Sequence, residues 1–244
     1  MTLQQILSPI RKAVDDFRMI KNGDKIAVGV SGGKDSLTLL SALAGLRRFY
    51  PEKFDVVAIT VDMGLDYDKN EIQALKDYCQ SLNVEYHIEK TQIAEVVFDV
   101  KKEKSPCSLC ANMRRGALNS TAVKLDCNKV ALGHHGDDLI ETFFLSLMYE
   151  GRLSTFSPVT YLERANVSVI RPMIYLREYQ VQSFAKNLPI LHNPCPVNHK
   201  TQREYVKNLL KEIRKDVPIV NDNVLNALLH PERNNLIKKP TDEE

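Results

Sequence analysis

The sequence lacks several features that would assign a protein to a specialised class. It has no long uncharged apolar run, and its N-terminal stretch mixes acidic and basic residues, so neither a membrane span nor a signal peptide is predicted. We find no internal repeat and no low-complexity linker. An apolar content of 43% and a charged content of 26% are those of an ordinary globular protein, and we expect it to be cytoplasmic.

A large excess of either charge is absent, since 33 Lys and Arg residues nearly balance 31 Asp and Glu residues, for a formal net charge of +2. Net charge therefore does not identify a nucleic-acid-binding protein, and any RNA site must come from local clusters. Two stretches are basic: Arg114-Arg115, and residues 199–215 with the interleaved Tyr205. Because such stretches are also typical of a solvated helix face, both interpretations stay open.

Cysteine is scarce, and the five residues are an odd number in a chain without a secretory signal. This argues against a disulfide framework and for reduced thiols. Cys107 and Cys110 form a Cys-x-x-Cys at a predicted helix start, where the helix dipole should lower thiol pKa values and favour a metal, a cluster or redox exchange. Cys195 is the other well-placed sulfur. Three thiolates with no evident fourth ligand fit an iron–sulfur cluster with one open iron better than a closed zinc site, whereas Cys79 and Cys127 are predicted to be buried small hydrophobes.

The stretch SGGKDS follows an apolar run and precedes a helical pattern, which predicts a strand, a tight loop and a helix start. Backbone N–H groups and the helix dipole make such a loop suitable for a phosphate or pyrophosphate. The spacing satisfies neither the Walker loop nor the dinucleotide fingerprint, and an ordinary glycine turn is the alternative. The candidate nucleotide-binding residues of this SGGKDS loop are Ser31, Gly32, Gly33, Lys34, Asp35 and Ser36.

Strands and helices alternate along the chain, which predicts an α/β fold with a doubly wound, mostly parallel sheet of about five strands flanked by helices. Additional helices are expected at both ends of the chain, the first of them over residues 2–20 and kinked or interrupted at Pro9. The predicted strands cover residues 25–30, 54–62, 84–89, 129–132 and 167–172. Ligands of such sheets bind beyond the carboxyl ends of the strands.

Two further groups of polar residues follow predicted strands at that edge. Asp62 ends the second strand and is a candidate for the base or ribose of a nucleotide, with an ordinary strand-ending turn as the alternative. After the fourth strand, Gly133, Asp137 and Asp138 are candidate nucleotide-binding residues. The carboxylates of Asp137, Asp138 and Glu141 are placed to hold magnesium or orient a substrate group, with a polar helix cap as the alternative. The adjacent histidines are predicted to be turn or packing residues.

Several motifs together resemble the tRNA 2-thiocytidine synthetase family, which lies within the PP-loop ATP pyrophosphatases and the cluster-dependent tRNA thiolases. These motifs are SGGKDS at 31–36, PCSLC followed by MRRGAL at 106–118, LGHHGDDLIETFF at 132–144, RPMIYLRE at 171–178 and the later Cys195. The resemblance covers about residues 20–215. It implies ATP with Mg²⁺, a 4Fe-4S cluster on Cys107, Cys110 and Cys195, and sulfur insertion at C2 of cytidine 32 in the anticodon stem-loop of tRNA.

The resemblance also implies a mechanism. A pyrimidine carbonyl does not exchange oxygen for sulfur unaided, because oxide is too poor a leaving group, whereas AMP leaves readily from an adenylate. The SGGKDS loop would hold pyrophosphate, Asp35 and Asp137 would hold magnesium or the nucleotide, and Arg114 or Arg115 would meet an RNA phosphate or a developing oxyanion. The sulfur donor would be sulfide or sulfur from a cysteine desulfurase, and a homodimer is also considered.

The implied domain organisation has four parts. These are an N-terminal helix over 1–23, a PP-loop domain over 24–190 that includes the Cys-x-x-Cys helix, a C-terminal helical segment over 191–237 that carries the third cysteine, and a disordered tail over 238–244.

Other functions stay open. The same chemistry would serve a tRNA 2-thiouridine synthetase or a small-molecule thiolase. A redox sensor that binds ATP and a cluster without turnover is a different class, although Lys34, Asp35 and the pair Asp137-Asp138 argue for turnover. An amide-forming PP-loop enzyme would leave the three cysteines without a role.

Overall fold

A six-stranded sheet forms the centre of the computed structural model, which describes residues 1–65, 67–100 (of Asp99 only the backbone), 106–192, 195, 202–233 and 235–236. The strands are β1 (Asp24–Gly29), β2 (Phe54–Asp62), β3 (Glu85–Lys90), β4 (Lys129–Ala131), β5 (Val159–Leu162) and β6 (Val167–Ile170). Their order across the sheet is β3-β2-β1-β4-β6-β5. All neighbours pair in parallel except β5 and β6, which are antiparallel.

The central strands explain why the sheet is parallel. Strands β1 and β2 are nearly continuous runs of buried residues, as expected for strands covered by helices on both faces. They pair in register from Asp24 with Phe54 to Gly29 with Ile59. Because the chain order reverses between β1 and β4, the loops that follow these two strands flank a crevice at the carboxyl edge of the sheet.

Strand β5 was not predicted. It lies at the sheet edge with only β6 as a neighbour, and its side chains are at best half-buried, with Tyr161 58% exposed. An edge strand that buries little has a weak apolar pattern, so its sequence resembles a loop. The doubly wound α/β fold itself is confirmed.

Helices make up most of the remaining described residues. They are α1 (Leu3–Asp16), α2 (Lys34–Leu46), α3 (Lys69–Ser81), α4 (Ile93–Glu95, continued by a π-helical turn Val96–Val100), α5 (Pro106–Lys124), α6 (Gly136–Leu145, continued by a π-helical turn Ser146–Glu150), α7 (Glu178–Phe184, continued by the 3-10 turn Ala185–Asn187), α8 (Gln202–Asp216) and α9 (Val220–Leu229). Within the described ranges, no helix has both the length and the apolar character that crossing a membrane requires.

Helix α1 continues through Pro9, so of the two predicted effects of this proline, a kink or an interruption, the interruption is wrong. Thr2 caps it through a capping box with Gln5, which fixes its first turn. A proline inside a helix costs about 3 kcal/mol, whereas each fully buried large aliphatic side chain contributes about 1.5 to 3 kcal/mol. Five buried apolar residues therefore outweigh the proline; they are Ile6, Leu7, Ile10, Ala13 and Val14.

The chain divides into two compact units. One comprises Met1–Gly136 with Ser157–His199 and contains the sheet, and the other comprises Asp137–Phe156 with Lys200–Glu244 and is helical. The segment bounds derived from the sequence stay a prediction, and the tail expected to be disordered lies outside the described residues.

Within the helical unit, a buried carboxylate joins α6 to α8. Glu141 is 3% exposed, and its Oε2 lies 2.9 Å from Nη1 of Arg203, while its Oε1 lies 3.6 Å from Nζ of Lys207. Arg203 also donates to Oγ1 of Thr142 at 3.1 Å and to Asp138 at 3.4 Å. Burial raises the pKa of Glu141, and the two cations act against that rise. Two basic residues of the segment 199–215, Arg203 and Lys207, therefore have a structural role as partners of Glu141.

Replacing Arg203 with alanine should destabilise this unit, because it leaves a buried carboxylate with less compensation. We expect a loss of about 2 kcal/mol in the free energy of unfolding, measured from the urea midpoint of the full chain. Adding Glu141→Gln should restore part of it. Lys215→Ala, which breaks an exposed ion pair with Glu212, should change the midpoint little. An Arg203→Ala midpoint equal to that of Lys215→Ala would contradict the role of the network.

Candidate active site

The SGGKDS loop joins β1 to α2 and is held in shape by its own serines. The backbone N–H of Ser31 donates to Oγ of Ser36 at 3.2 Å, and Oγ of Ser36 donates to the carbonyl of Gly33 at 2.9 Å. Gly33 is the N-cap of α2 and provides no side-chain acceptor for the first N–H groups. These groups are therefore available to an anion, as predicted for a phosphate-binding loop.

Two glycines allow close approaches that a side chain would block. Gly32 has a φ of +78°, and a Cβ on it would lie 2.8 Å from Cβ of Leu191. Gly133, which follows β4, packs so closely on the start of α2 that a Cβ would lie 2.9 Å from the carbonyl carbon of Asp35. The predicted candidate Gly133 therefore supports the SGGKDS loop from the neighbouring strand.

Replacing Gly133 with alanine should displace the start of α2 and weaken ATP binding. Overpacking of this kind costs about 1 to 3 kcal/mol, which corresponds to roughly a 5- to 150-fold loss of affinity if it falls on the loop. Equilibrium dialysis with ATP would measure it. Gly116→Ala is the matched control, since a Cβ there meets nothing within 4 Å and alanine favours a helix interior. Equal ATP affinities for the two variants would contradict this packing role.

Lys34 is held by two carboxylates. Its Nζ lies 3.0 Å from Oδ1 of Asp35 and 3.3 Å from Oε1 of Glu178, the first residue of α7. Burial acts to lower the pKa of Lys34, but the two carboxylates outweigh burial and raise it. The ammonium group is therefore charged at neutral pH and lies at the N-terminus of α2. Glu178 belongs to the RPMIYLRE motif, but sequence reasoning gave it no role.

His135 also approaches Asp35. The side chain of His135 is 3% exposed, and its Nε2 lies 3.7 Å from Oδ1 of Asp35. It was predicted only as a turn or packing residue. Its burial agrees with packing, and its contact adds it to the surroundings of the SGGKDS loop.

Of the three candidate ligand cysteines, Cys107 and Cys195 lie near the third, Cys110. Cys107 and Cys110 occupy the first turn of α5, the former exposed and the latter half-buried. Burial raises the pKa of Cys110, Arg114 acts to lower it, and Cys195 and Cys107 are near enough to raise it further. The expected lowering of thiol pKa values at this helix start is therefore wrong for Cys110, because burial and neighbouring thiols dominate.

The thiols and the SGGKDS loop lie at the same edge of the sheet. Sδ of Met63, which directly follows β2, is 3.6 Å from Sγ of Cys110. Since β2 is the parallel neighbour of β1, the residues after both strands emerge on one side. The candidate nucleotide-binding residues and the candidate cysteines of the sheet-containing unit therefore lie at the same carboxyl edge of the sheet.

Tyr67 lies near the candidate cysteines, and the sequence alone did not identify it as a site residue. Its phenol is half-buried, and burial raises its pKa. Arg114, Asp62, Cys110 and Cys195 all lie near enough to influence that pKa. No pattern in the sequence distinguishes Tyr67 from an ordinary loop tyrosine, because its importance comes from groups distant along the chain.

The donor set of the three candidate cysteines consists of thiols, and thiolates serve both structural zinc sites and iron–sulfur clusters. Among the described residues, no three His, Cys, Asp or Glu side chains are grouped as ligands of one metal ion. A zinc ion would need its thiolates at about 2.3 Å from one centre, whereas the irons of a cubane cluster bind thiolates that are more widely spaced. Cys107 and Cys195 both lie near enough to Cys110 to influence the pKa of its thiol, which is compatible with the wider spacing.

Other predicted residues have partners of their own. The carboxylate of Asp62 accepts from the backbone N–H of Gly64 at 2.9 Å, as in an ordinary strand-ending turn. Asp137 and Asp138 lie in the helical unit, where Oδ1 of Asp137 accepts from Asn221 at 3.3 Å. Cys79 and Cys127 are buried, which confirms their predicted role as small hydrophobes.

Two arginines form a basic pair near α5. Arg171, the first residue of RPMIYLRE, donates from Nη1 to the carbonyl of Ser157 at 2.6 Å. Burial lowers the pKa of Arg171, and Arg115 is close enough to lower it further. Two like charges held together favour an anionic partner such as a phosphate group.

Comparisons with known proteins agree with this arrangement. The family model of the PP-loop domain matches residues 3–217. The tRNA-cytidine(32) 2-sulfurtransferase of Pelobacter propionicus is 42% identical over 91% of this chain and 84% of its own length, and that of Geobacter sulfurreducens is 39% identical over 92% and 89%. The structure of the U34-tRNA thiolase NcsA from Methanococcus maripaludis with its [4Fe-4S] cluster matches with a TM-score of 0.76 and 26% identity over 96% of this chain and 80% of that one. The chain therefore belongs to the PP-loop family and, within it, to the group of the tRNA-cytidine(32) 2-sulfurtransferases.

Proposed function

We propose that this protein is an ATP-dependent tRNA sulfurtransferase that replaces the C2 oxygen of cytidine 32 with sulfur. The substrate is supported by the names of relatives that match at about 40% identity over nine-tenths of the chain. The observation that carries the proposal is structural: an anion-binding loop with a charged lysine and three neighbouring thiols lie at the same edge of one sheet.

Activation is the task of the SGGKDS loop. The C2 oxygen of the cytidine attacks the α-phosphate of ATP, and pyrophosphate leaves with the electrons of the broken P–O bond. The N–H groups at the start of α2 and the ammonium of Lys34 stabilise the charge that develops on the leaving pyrophosphate. Lys34 must then exchange at least part of its contact with Asp35 and Glu178 for phosphate oxygens.

Magnesium is the expected companion of ATP. Asp35 supplies a carboxylate in the first turn of α2, and Asp137 lies in the first turn of α6. Carboxylate oxygens together with phosphates and water are the ligands that Mg²⁺ prefers. We therefore propose Asp35 as a magnesium ligand of the sheet-containing unit, whereas the role of Asp137 stays a prediction from the sequence.

Sulfur delivery is the task of the three candidate cysteines. Cys107, Cys110 and Cys195 would hold a 4Fe-4S cluster, which when bound supplies a site for sulfur at the oxidation level of a thiol. Hydrosulfide adds to C2 of the adenylated base, AMP leaves with the former C2 oxygen, and the proton of the hydrosulfide passes to solvent. Persulfide sulfur from a desulfurase would enter this step only after a thiol reductant has supplied two electrons and released it as hydrosulfide. Arg114 lies next to Cys110 and can balance negative charge that builds up at this point.

Binding of tRNA would use the arginine pair. Arg115 and Arg171 present two neighbouring cations, of which the first lies one residue from Arg114. Contacts to RNA phosphates position the substrate but do not select its sequence, so the pair would orient the anticodon stem-loop. We assign this role to the pair and leave the base-selecting contacts to other residues.

Mass spectrometry of tRNA nucleosides tests the proposal. A strain that lacks this protein should lose 2-thiocytidine and regain it when the intact gene is restored. In vitro, the anaerobically purified protein should form AMP and pyrophosphate with tRNA present. A strain that keeps its 2-thiocytidine would overturn the proposal, and binding of ATP without any AMP formation would favour a redox sensor.

A 2-thiouridine synthetase is the second candidate. The structural likeness to a U34-tRNA thiolase with a [4Fe-4S] cluster supports it, because that enzyme shares the fold over 96% of this chain. The same nucleoside measurement separates the two candidates, since loss of a 2-thiouridine with unchanged 2-thiocytidine would replace the leading proposal.

A further inference from the structure

Leu191 packs directly on the SGGKDS loop, although it lies about 160 residues further along the chain. Its backbone N–H donates to the carbonyl of Gly32 at 2.9 Å, and its side chain fills the space where a Cβ of Gly32 would be. The side chain is 8% exposed. Since Gly32 has a φ of +78°, the loop bends where Leu191 holds it.

The next residue is fixed by a second contact. The backbone N–H of His192 donates to Oε2 of Glu71 at 3.0 Å, and Glu71 lies in the first turn of α3. Two successive residues of the segment are therefore held by two different elements, the SGGKDS loop and α3. Both elements follow the carboxyl ends of β1 and β2.

Cys195 follows this double attachment after only three residues. A chain of three residues spans at most about 11 Å, so the Cys195 backbone cannot lie far from the SGGKDS loop. Its thiol is near enough to Cys110 and Tyr67 to act on both. The position of the third thiol thus depends on where Leu191 and His192 are held.

We propose that Leu191 and Glu71 are positioning residues that couple nucleotide binding at the SGGKDS loop to the position of Cys195. An occupied loop loses freedom when its N–H groups bind phosphate, and the Gly32 carbonyl that holds Leu191 becomes fixed with it. Leu191 and His192 are then held more firmly, which restricts the positions open to Cys195 three residues further on. Coupling of this kind is reciprocal, so ordering of Cys195 also favours ATP. The inference rests on the proposed nucleotide role of the loop and requires no tRNA.

Thiol alkylation of the full, metal-free chain tests the coupling. Iodoacetamide labelling followed by mass spectrometry gives a separate rate for each cysteine, with and without saturating Mg-ATP. In the wild type we expect ATP to slow labelling of Cys195 about 5-fold or more, a typical size for coupled sites. The exposed Cys107 should show little change. ATP binding is measured first, by equilibrium dialysis.

Leu191→Ala should remove this protection, so that the Cys195 rate becomes nearly the same with and without ATP. Ile190→Ala is the matched control, because Ile190 is 47% exposed and adjacent in sequence. Glu71→Ala removes the other attachment without opening the core, and it should also reduce the protection. A purely structural role would alter Cys107 and Cys195 alike.

Four outcomes decide the matter. Protection that survives both Leu191→Ala and Glu71→Ala overturns the coupling, as does a wild-type Cys195 rate that ATP leaves unchanged although it binds. Failure of the wild type to bind ATP overturns the proposed function itself and the coupling with it. Protection confined to Cys195, lost in both variants and kept in Ile190→Ala, supports the inference.

Discussion

The Cys195→Ser variant, purified without oxygen, should contain no more iron than background and should form no measurable 2-thiocytidine. Cys195 is the one candidate ligand outside α5, so neither Cys107 nor Cys110 can replace it from within the Cys-x-x-Cys motif. Loss of residues that only support a metal ligand costs 10- to 100-fold, so loss of a ligand should cost at least about 100-fold. Iron content and cluster absorption measure the loss of iron, and tRNA nucleoside analysis measures the loss of 2-thiocytidine.

Cys127→Ala is the control for this prediction. Cys127 is buried in an apolar cluster under the sheet and lies outside the candidate site. Its loss should lower stability modestly and leave iron content unchanged. An iron-loaded Cys195→Ser protein would contradict the assignment of this ligand, and stoichiometric zinc without iron in the wild type would contradict the cluster.

The second large effect is expected for Lys34→Ala. This change removes the cation at the start of α2 and leaves Asp35 and Glu178 without the charge they now surround. Removing one preorganised donor to a developing charge lowers turnover by about 100- to 1,000-fold. The rate of AMP formation from ATP with tRNA present is the measurement. Iron content should stay at the wild-type level, because Lys34 pairs with two carboxylates, Asp35 and Glu178, neither of which is a candidate cluster ligand.

Lys12→Ala serves as the comparison for Lys34→Ala. Lys12 is an exposed lysine of α1 that pairs with Asp16, and its loss removes the same charge at a distance from the SGGKDS loop. AMP formation should stay near the wild-type rate. Equal rates in the two lysine variants would refute the role of Lys34 as a phosphate ligand.

The fold was predictable where the sequence pattern follows directly from burial. Strand β2 runs over the predicted residues 54–62 because nearly every side chain in it is buried. Strand β5 was missed because an edge strand buries little. The interruption expected at Pro9 is absent because the buried face of α1 outweighs one lost hydrogen bond.

The candidate site was predictable to the extent that its chemistry lies in local motifs. The SGGKDS loop and the Cys-x-x-Cys pair are recognisable from their spacing alone. Leu191, Glu71 and Tyr67 were not, since their contacts join segments far apart in the chain and their residue types are common. Glu178 could have been predicted, because it is an acidic residue in a recognised motif and could have been proposed as a partner of Lys34.

Strand β5 also affects how the protein resists self-association. An unpaired strand edge is a template for pairing with another chain and hence for aggregation. The short β5 covers the side of β6 that would otherwise be such a template. At the opposite edge, β3 carries charges at Glu85, Glu89 and Lys90 that disfavour intermolecular pairing. The short and largely exposed β5 thus replaces the buried, apolar β6 as the edge strand on this side of the sheet.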